Sequence, residues 1–169
     1  MFAIGFVGPS GVGKTTLMEK VLARLKSRGR RVSAVKSAHH TVDVDRPGKD
    51  SYRYRTAGAQ EVLLVAPGRW ALMRETAVEP TLQEALALLS PVDIVLVEGY
   101  KSEEGLPRIL VHRSGLSTDP LTYLTSEVVA IATDDAQLTI PAGVQRLDLN
   151  NPGAVANFIV GLKANCDHI

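Results

Sequence analysis

The stretch Gly8-Pro9-Ser10-Gly11-Val12-Gly13-Lys14-Thr15 decides the fold class. It matches the pattern G-x-x-x-x-G-K-[S/T] at every position, a coincidence expected only about once in a few hundred chains of this length at average residue usage. Glycines let backbone N–H groups wrap an anion, and a following helix adds the positive end of its dipole. In such a P-loop Lys14 reaches the β- and γ-phosphates of a nucleotide and the Thr15 hydroxyl ligates Mg²⁺. The bland alternative is a tight strand-to-helix turn with an incidental Lys-Thr pair. The flanks favour the first reading. Phe2 to Val7 is an apolar run of the length of a buried strand. From Thr15 to Ser27, Leu17, Val21, Leu22 and Leu25 recur at helical spacing, and Gly29 stands where a helix stops. Val32 to Val35 reads as a second strand, which completes a βαβ unit and points to a parallel sheet.

A P-loop needs an acidic partner for the metal or its waters, usually at the end of another strand. Asp93-Ile94-Val95-Leu96-Val97-Glu98-Gly99 supplies one. Glu98 stands where this strand empties into the crevice beside the phosphates, and Gly99 permits close backbone approach. A merely solvated strand-end carboxylate is the competing reading. Asp93 starts the same strand, at the opposite edge of the sheet, and reads as structural. Glu61 to Val65 and Arg69 to Met73, joined by Ala66-Pro67-Gly68, predict an antiparallel hairpin. Thr81 to Leu89 predicts an amphipathic helix, Arg108 to Val111 and Val128 to Ala132 predict strands, and Pro152 to Lys163 predicts a final helix. The expected architecture is one α/β domain over 1–169: a mostly parallel P-loop NTPase sheet with helices on both faces, and the hairpin at its edge or at a dimer contact.

The chain has 169 residues, a net charge of +1 and 45% hydrophobic residues. That fits a single core and excludes the global basic field that dominates binding to nucleic acid or anionic membranes. Cys166 is the one cysteine, so no internal disulfide can form and a reducing compartment is expected. No apolar run approaches the length of a membrane helix and no signal-like segment opens the chain, so the expected location is cytoplasmic.

The segment from Lys36 to Ser51 crowds donors, carboxylates and imidazoles at the crevice side of the second strand. His39 and His40 lack a third ligand at metal spacing, and a solvated loop is the simplest account of them. Lys49, Arg53 and Arg55 are candidates to hold phosphate oxygens. The Lys26, Arg28, Arg30, Arg31 cluster reads instead as favourable charge at a helix C-terminus. Asp134 follows the strand at Val128 to Ala132; its carboxylate suits the N1–H and amino donors of guanine, and capping of the next turn is an equal alternative. The hairpin carries Val62, Leu63, Leu64, Val65, Trp70, Leu72 and Met73, more apolar surface than an exposed ribbon should keep, and a homodimer is expected from it.

The P-loop, Pro47-Gly48-Lys49-Asp50-Ser51-Tyr52-Arg53, Ala57-Gly58-Ala59 and Val97-Glu98-Gly99-Tyr100-Lys101 together resemble the molybdopterin-guanine dinucleotide biosynthesis adapter family, MobB, in order and spacing over about residues 1 to 113. The resemblance implies a GTP-binding adapter of the SIMIBI group of P-loop NTPases with weak GTPase activity. It implies assistance to the nucleotidyltransferase that joins GMP to molybdopterin, with molybdopterin or a molybdoenzyme as further partners. Carried over by position, Gly8, Pro9, Ser10, Gly11, Val12, Gly13, Lys14, Thr15 and Thr16 cradle phosphate. Asp45 and Glu98 handle Mg²⁺ or the attacking water, and His39, His40, Lys49, Asp50 and Arg53 line a facing site. The chain departs from the family at Ser37, where a His is frequent. The alternative is a small-molecule kinase or ATP-dependent ligase resembling dethiobiotin synthetase, with His39 or Asp45 as base. A metallochaperone-type GTPase would need a His-rich or Cys/His arrangement that is missing here.

Overall fold

The computed structural model describes residues 1–38, 42, 44–116 and 119–166, which form two compact units, Met1–Ser37 with Ala85–Ile169 and Ala38–Glu84. The first unit is built on a six-stranded sheet of β1 (Phe2–Val7), β2 (Val32–Lys36), β5 (Ile94–Glu98), β6 (Arg108–His112), β7 (Val128–Thr133) and β8 (Gln145–Asp148). Its order is β2-β5-β1-β6-β7-β8, and every pairing is parallel. The chain leaves β1 first toward β2 and later returns to its other side as β6. The crevice beyond the C-terminal end of β1 is therefore the switch point at which such sheets bind ligands.

Alternation along the strands sorts the core. Ile4, Phe6, Ile94, Leu96, Ile109, Val111, Ala130 and Ala132 point to the face covered by α1 (Lys14–Ser27) and α4 (Pro152–Cys166), where Leu17, Val21, Leu25, Val155 and Ile159 complete one fully packed layer. On the other face Val7, Leu110 and Ile131 meet Tyr123, Leu124, Leu138, Ile140 and Val144. Helices on both faces were expected. Over this part of the second face a 3₁₀ turn, Pro120–Tyr123, and an irregular segment do the covering instead.

Local chemistry sets the helix ends. Gly29 adopts φ +72°, and the Arg30 and Gly29 amides donate to the carbonyls of Leu25 (3.2 Å) and Lys26 (3.0 Å), a Schellman stop for α1. Asn151 accepts from the Ala154 amide at 3.0 Å and Pro152 occupies the first helical position, which starts α4.

The second unit holds α2 (Asp50–Thr56) and the hairpin of β3 (Glu61–Ala66) and β4 (Arg69–Arg74). The hairpin is a two-stranded sheet of its own, not an edge extension of the six-stranded one. Its register pairs Val62 with Met73 and Val65 with Trp70. Of β3, only Val62 is buried. The division between units falls within α3 (Leu82–Ala87), which is shorter than the predicted helix. Thr81 and Glu84 exchange hydrogen bonds as a capping box that fixes its start. Pro91 disfavours helical backbone at Ser90, and Leu89 closes only a three-residue bond to Leu86.

Candidate nucleotide site

The P-loop spans the gap between β1 and α1. Gly8, Gly11 and Gly13 all take positive φ, and a Cβ on Gly8 would stand 2.5 Å from the Val111 carbonyl oxygen. Only glycine fits there. Gly13, left-handed at φ 98°, is the N-cap of α1 and turns the first amides of the helix into the loop. The Lys14 ammonium curls over the loop and donates to the carbonyls of Gly8 (3.0 Å) and Pro9 (2.8 Å). Burial holds its pKa below the ordinary lysine value, with Lys101 and Lys36 acting in the same direction and Glu98 opposing them.

Glu98 ends β5 directly beside β1, opposite Phe6 in register. The Thr15 hydroxyl donates to its Oε2 at 3.0 Å, and the Lys36 ammonium at the end of β2 lies 3.6 Å from the same oxygen. Gly99 brings the next peptide against Ser37: a Cβ there would lie 2.7 Å from the Ser37 Cβ. Arg108, buried at the start of β6, clamps the segment that follows Glu98. It donates to the Tyr100 carbonyl at 3.2 Å and to that of Glu103, and pairs with Glu127 at 3.2 Å. A hydroxyl and a carboxylate in contact are hard oxygen donors of the kind Mg²⁺ takes alongside phosphate and water, so these residues fit that ion. No group of three or more His, Cys, Asp or Glu side chains among the described residues forms a separate metal cluster.

On the other flank of the loop stands a cation absent from the sequence-based expectation. Arg113, the residue after β6, donates from Nε to the Val12 carbonyl at 3.5 Å. It also pairs with Asp134 at 3.4 Å. Asp134 in turn accepts the Ser114 amide at 2.7 Å, and this hydrogen bond, aided by Arg113, keeps its carboxyl below the usual range. Lys36 and Arg113 belong to no motif, and the Val97 to Lys101 motif by itself assigns Lys101 no role; the neighbouring of β2, β5, β1 and β6 gathers them.

The facing-site residues lie in the second unit. His39 and His40 fall outside the described residues. Asp45, whose side chain is only 4% exposed, is taken up by Arg55 at 3.0 Å. Arg55 also reaches Glu75 at 3.4 Å and stacks on the Tyr52 ring, so it is a neutralised structural cation and not a free phosphate holder. Lys49 is the N-cap of α2, and Asp50 and Arg53 are exposed and 4.0 Å apart. Asp45, Arg46, Lys49 and Asp50 nonetheless line one cavity of about 570 Å³, floored by Leu64, Ala71, Leu72 and Met73.

Residues 3–134 match the family described as molybdopterin guanine dinucleotide synthesis protein B, MobB. The chain belongs to the MobB family. It is 42% identical over 161 residues to a molybdopterin-guanine dinucleotide biosynthesis adapter protein of Haemophilus influenzae, covering 92% of this chain and 86% of that one. To the Escherichia coli protein of the same description it is 40% identical over 162 residues, with 93% and 90% covered. The crystal structure of a MobB homolog from Bacillus stearothermophilus superposes with a TM-score of 0.73 at 27% identity, over 98% of this chain and 99% of that one. The MobB match includes the whole P-loop, Glu98, Arg113 and Asp134. No helix among the described residues is long and apolar enough to cross a membrane.

Proposed function

We propose that this chain is a GTP-binding adapter with slow intrinsic hydrolysis that assists the nucleotidyltransferase joining GMP to molybdopterin. The observation that carries the reading is the contact of Thr15 with Glu98 beside Lys14, within a chain of the MobB family. Mg²⁺, when bound, neutralises charge on the β- and γ-phosphate oxygens. Loop amides and the Lys14 ammonium hold the phosphates, Thr15 and Glu98 hold the ion and its waters, and Glu98 is the group able to take a proton from attacking water. Without a transition-state guanidinium at the γ-phosphate, turnover runs about 10³ to 10⁵-fold slower than in assisted P-loop GTPases. The cavity of the second unit, with cationic Arg46 and Lys49 over an apolar floor, suits the partner's pterin substrate. A kinase needs a base for its acceptor; of the two candidates, Asp45 is paired with Arg55 and His39 lies outside the described residues.

Calorimetric titration with Mg-GTP and Mg-ATP tests the reading. GTP should bind the native chain more tightly than ATP. Lys14→Ala should weaken GTP by about 1.5–3 kcal/mol for each charge-assisted bond lost. Glu98→Gln should retain GTP and lose the residual hydrolysis. Given GTP and molybdopterin, the chain alone should form no dinucleotide until the nucleotidyltransferase is added. Dinucleotide formation without it, or rapid phosphorylation of a small acceptor by ATP, would overturn the adapter reading.

A further inference from the structure

We propose that Arg113 is a nucleotide-contacting residue, a built-in guanidinium for the α- and β-phosphates, and that Asp134 is the residue that positions it. This rests on nucleotide binding at the P-loop. The two flanks of the loop differ. Lys14, Thr15, Lys36 and Glu98 gather on the side of β5, with Lys101 close enough to depress the Lys14 pKa, so the metal and the terminal phosphate belong on that side. Arg113 stands on the side of β6, against Val12 and Gly13, where α1 begins. A phosphate chain threaded through the loop with its γ end toward Glu98 carries its α-phosphate toward this opposite flank.

The geometry of the side chain fits the role. The guanidinium reaches the loop backbone, its second terminal nitrogen lying 3.6 Å, an ordinary contact distance, from where a Cβ on Gly13 would be. Nε is spent on the Val12 carbonyl and the first terminal nitrogen on Asp134, both at the long limit of hydrogen bonding. The nitrogen beside Gly13 has no acceptor among the described residues, and the side chain is 45% exposed. A charged guanidinium nitrogen with its N–H groups uncommitted beside the loop is a donor of the kind with which arginine grips phosphate. Asp134 is only 17% exposed, with one oxygen on the Ser114 amide and the other on Arg113. Its influence on a nucleotide therefore passes through the guanidinium, not through hydrogen bonds to a base.

The test measures GTP, GDP and ATP affinities of the full chain by calorimetry, with thermal melts as the control for folding. Arg113→Ala should weaken GTP and GDP by the same factor, about tenfold or more, with Arg113→Lys restoring part of the loss. Asp134→Asn should weaken GTP and ATP alike, by less. Unchanged affinity in a folded Arg113→Ala variant while Lys14→Ala loses binding overturns this inference and leaves the P-loop reading standing. A loss seen with GTP but not GDP moves Arg113 to the γ-phosphate and overturns it too. So does an Asp134→Asn loss confined to guanine nucleotides. A native chain that binds no nucleotide removes both readings together.

Discussion

Gly99 shows how narrowly a single residue sets the site. At φ +103° it presses its α-carbon against Ser37, and an added methyl would lie 2.9 Å from the Ser37 carbonyl oxygen as well as 2.7 Å from its Cβ. Gly99→Ala should cost about 1–3 kcal/mol in urea unfolding and should displace Glu98 from Thr15. Lys14 makes a second prediction, through pH. Its ammonium already titrates below the ordinary 10.5 because of burial, and phosphate raises that value in the complex. Between the two values binding takes up a proton, so GTP affinity should fall about tenfold per pH unit in alkaline titration. The sign for folding is the reverse. With the folded pKa below the unfolded one, the unfolded chain binds more protons in that window and stability rises with pH there. Lys14, Thr15 and Glu98 were legible in the sequence because motif and strand-end position announce them. Arg113 was not: it follows a strand whose neighbours the sequence does not state, and its bond to Val12 spans 101 positions.

Elements were readable where the periodicity was strong. The apolar runs of β1 and β5 and the stripes of α1 and α4 stand where their spacing puts them, within a few residues at each end. The strand β8 was missed, since Gln145-Arg146-Leu147-Asp148 buries only Leu147 and lies at the sheet's edge, where pairing and not hydrophobicity defines a strand. The final helix was expected to stop at Lys163 and continues to Cys166. Its hold on the sheet lies in the middle. Ile159 is fully buried in the layer shared with α1, so Ile159→Ala should cost about 2–5 kcal/mol by thermal or urea unfolding. Nucleotide affinity of the remaining folded protein should hardly change, because no P-loop residue rests on α4 alone.

For the whole molecule, the hairpin remains the feature with most left over. Leu63, Leu64, Val65 and Trp70 are each more than half exposed on it, in a ribbon whose edges face no other strand among the described residues. Sedimentation at micromolar concentration should give a dimer mass, and dilution should shift the emission of Trp70, the single tryptophan, to the red. A monomer with unshifted emission would leave that apolar surface without a partner copy. The far edge of the parallel sheet offers a way to measure such an assembly. Cys166, exposed and alone of its kind, lies with Met1, Phe2 and Asp93 around one cleft at the beginning of the strands, while the P-loop lies beyond their ends. Six residues of β1 separate the two, about 20 Å at strand rise. A maleimide dye therefore attaches to one place, well clear of the phosphates, and energy transfer from it to a fluorescent nucleotide becomes a ruler. Its short reading is the distance from Cys166 to the nucleotide within one subunit, and any second reading is the spacing between two.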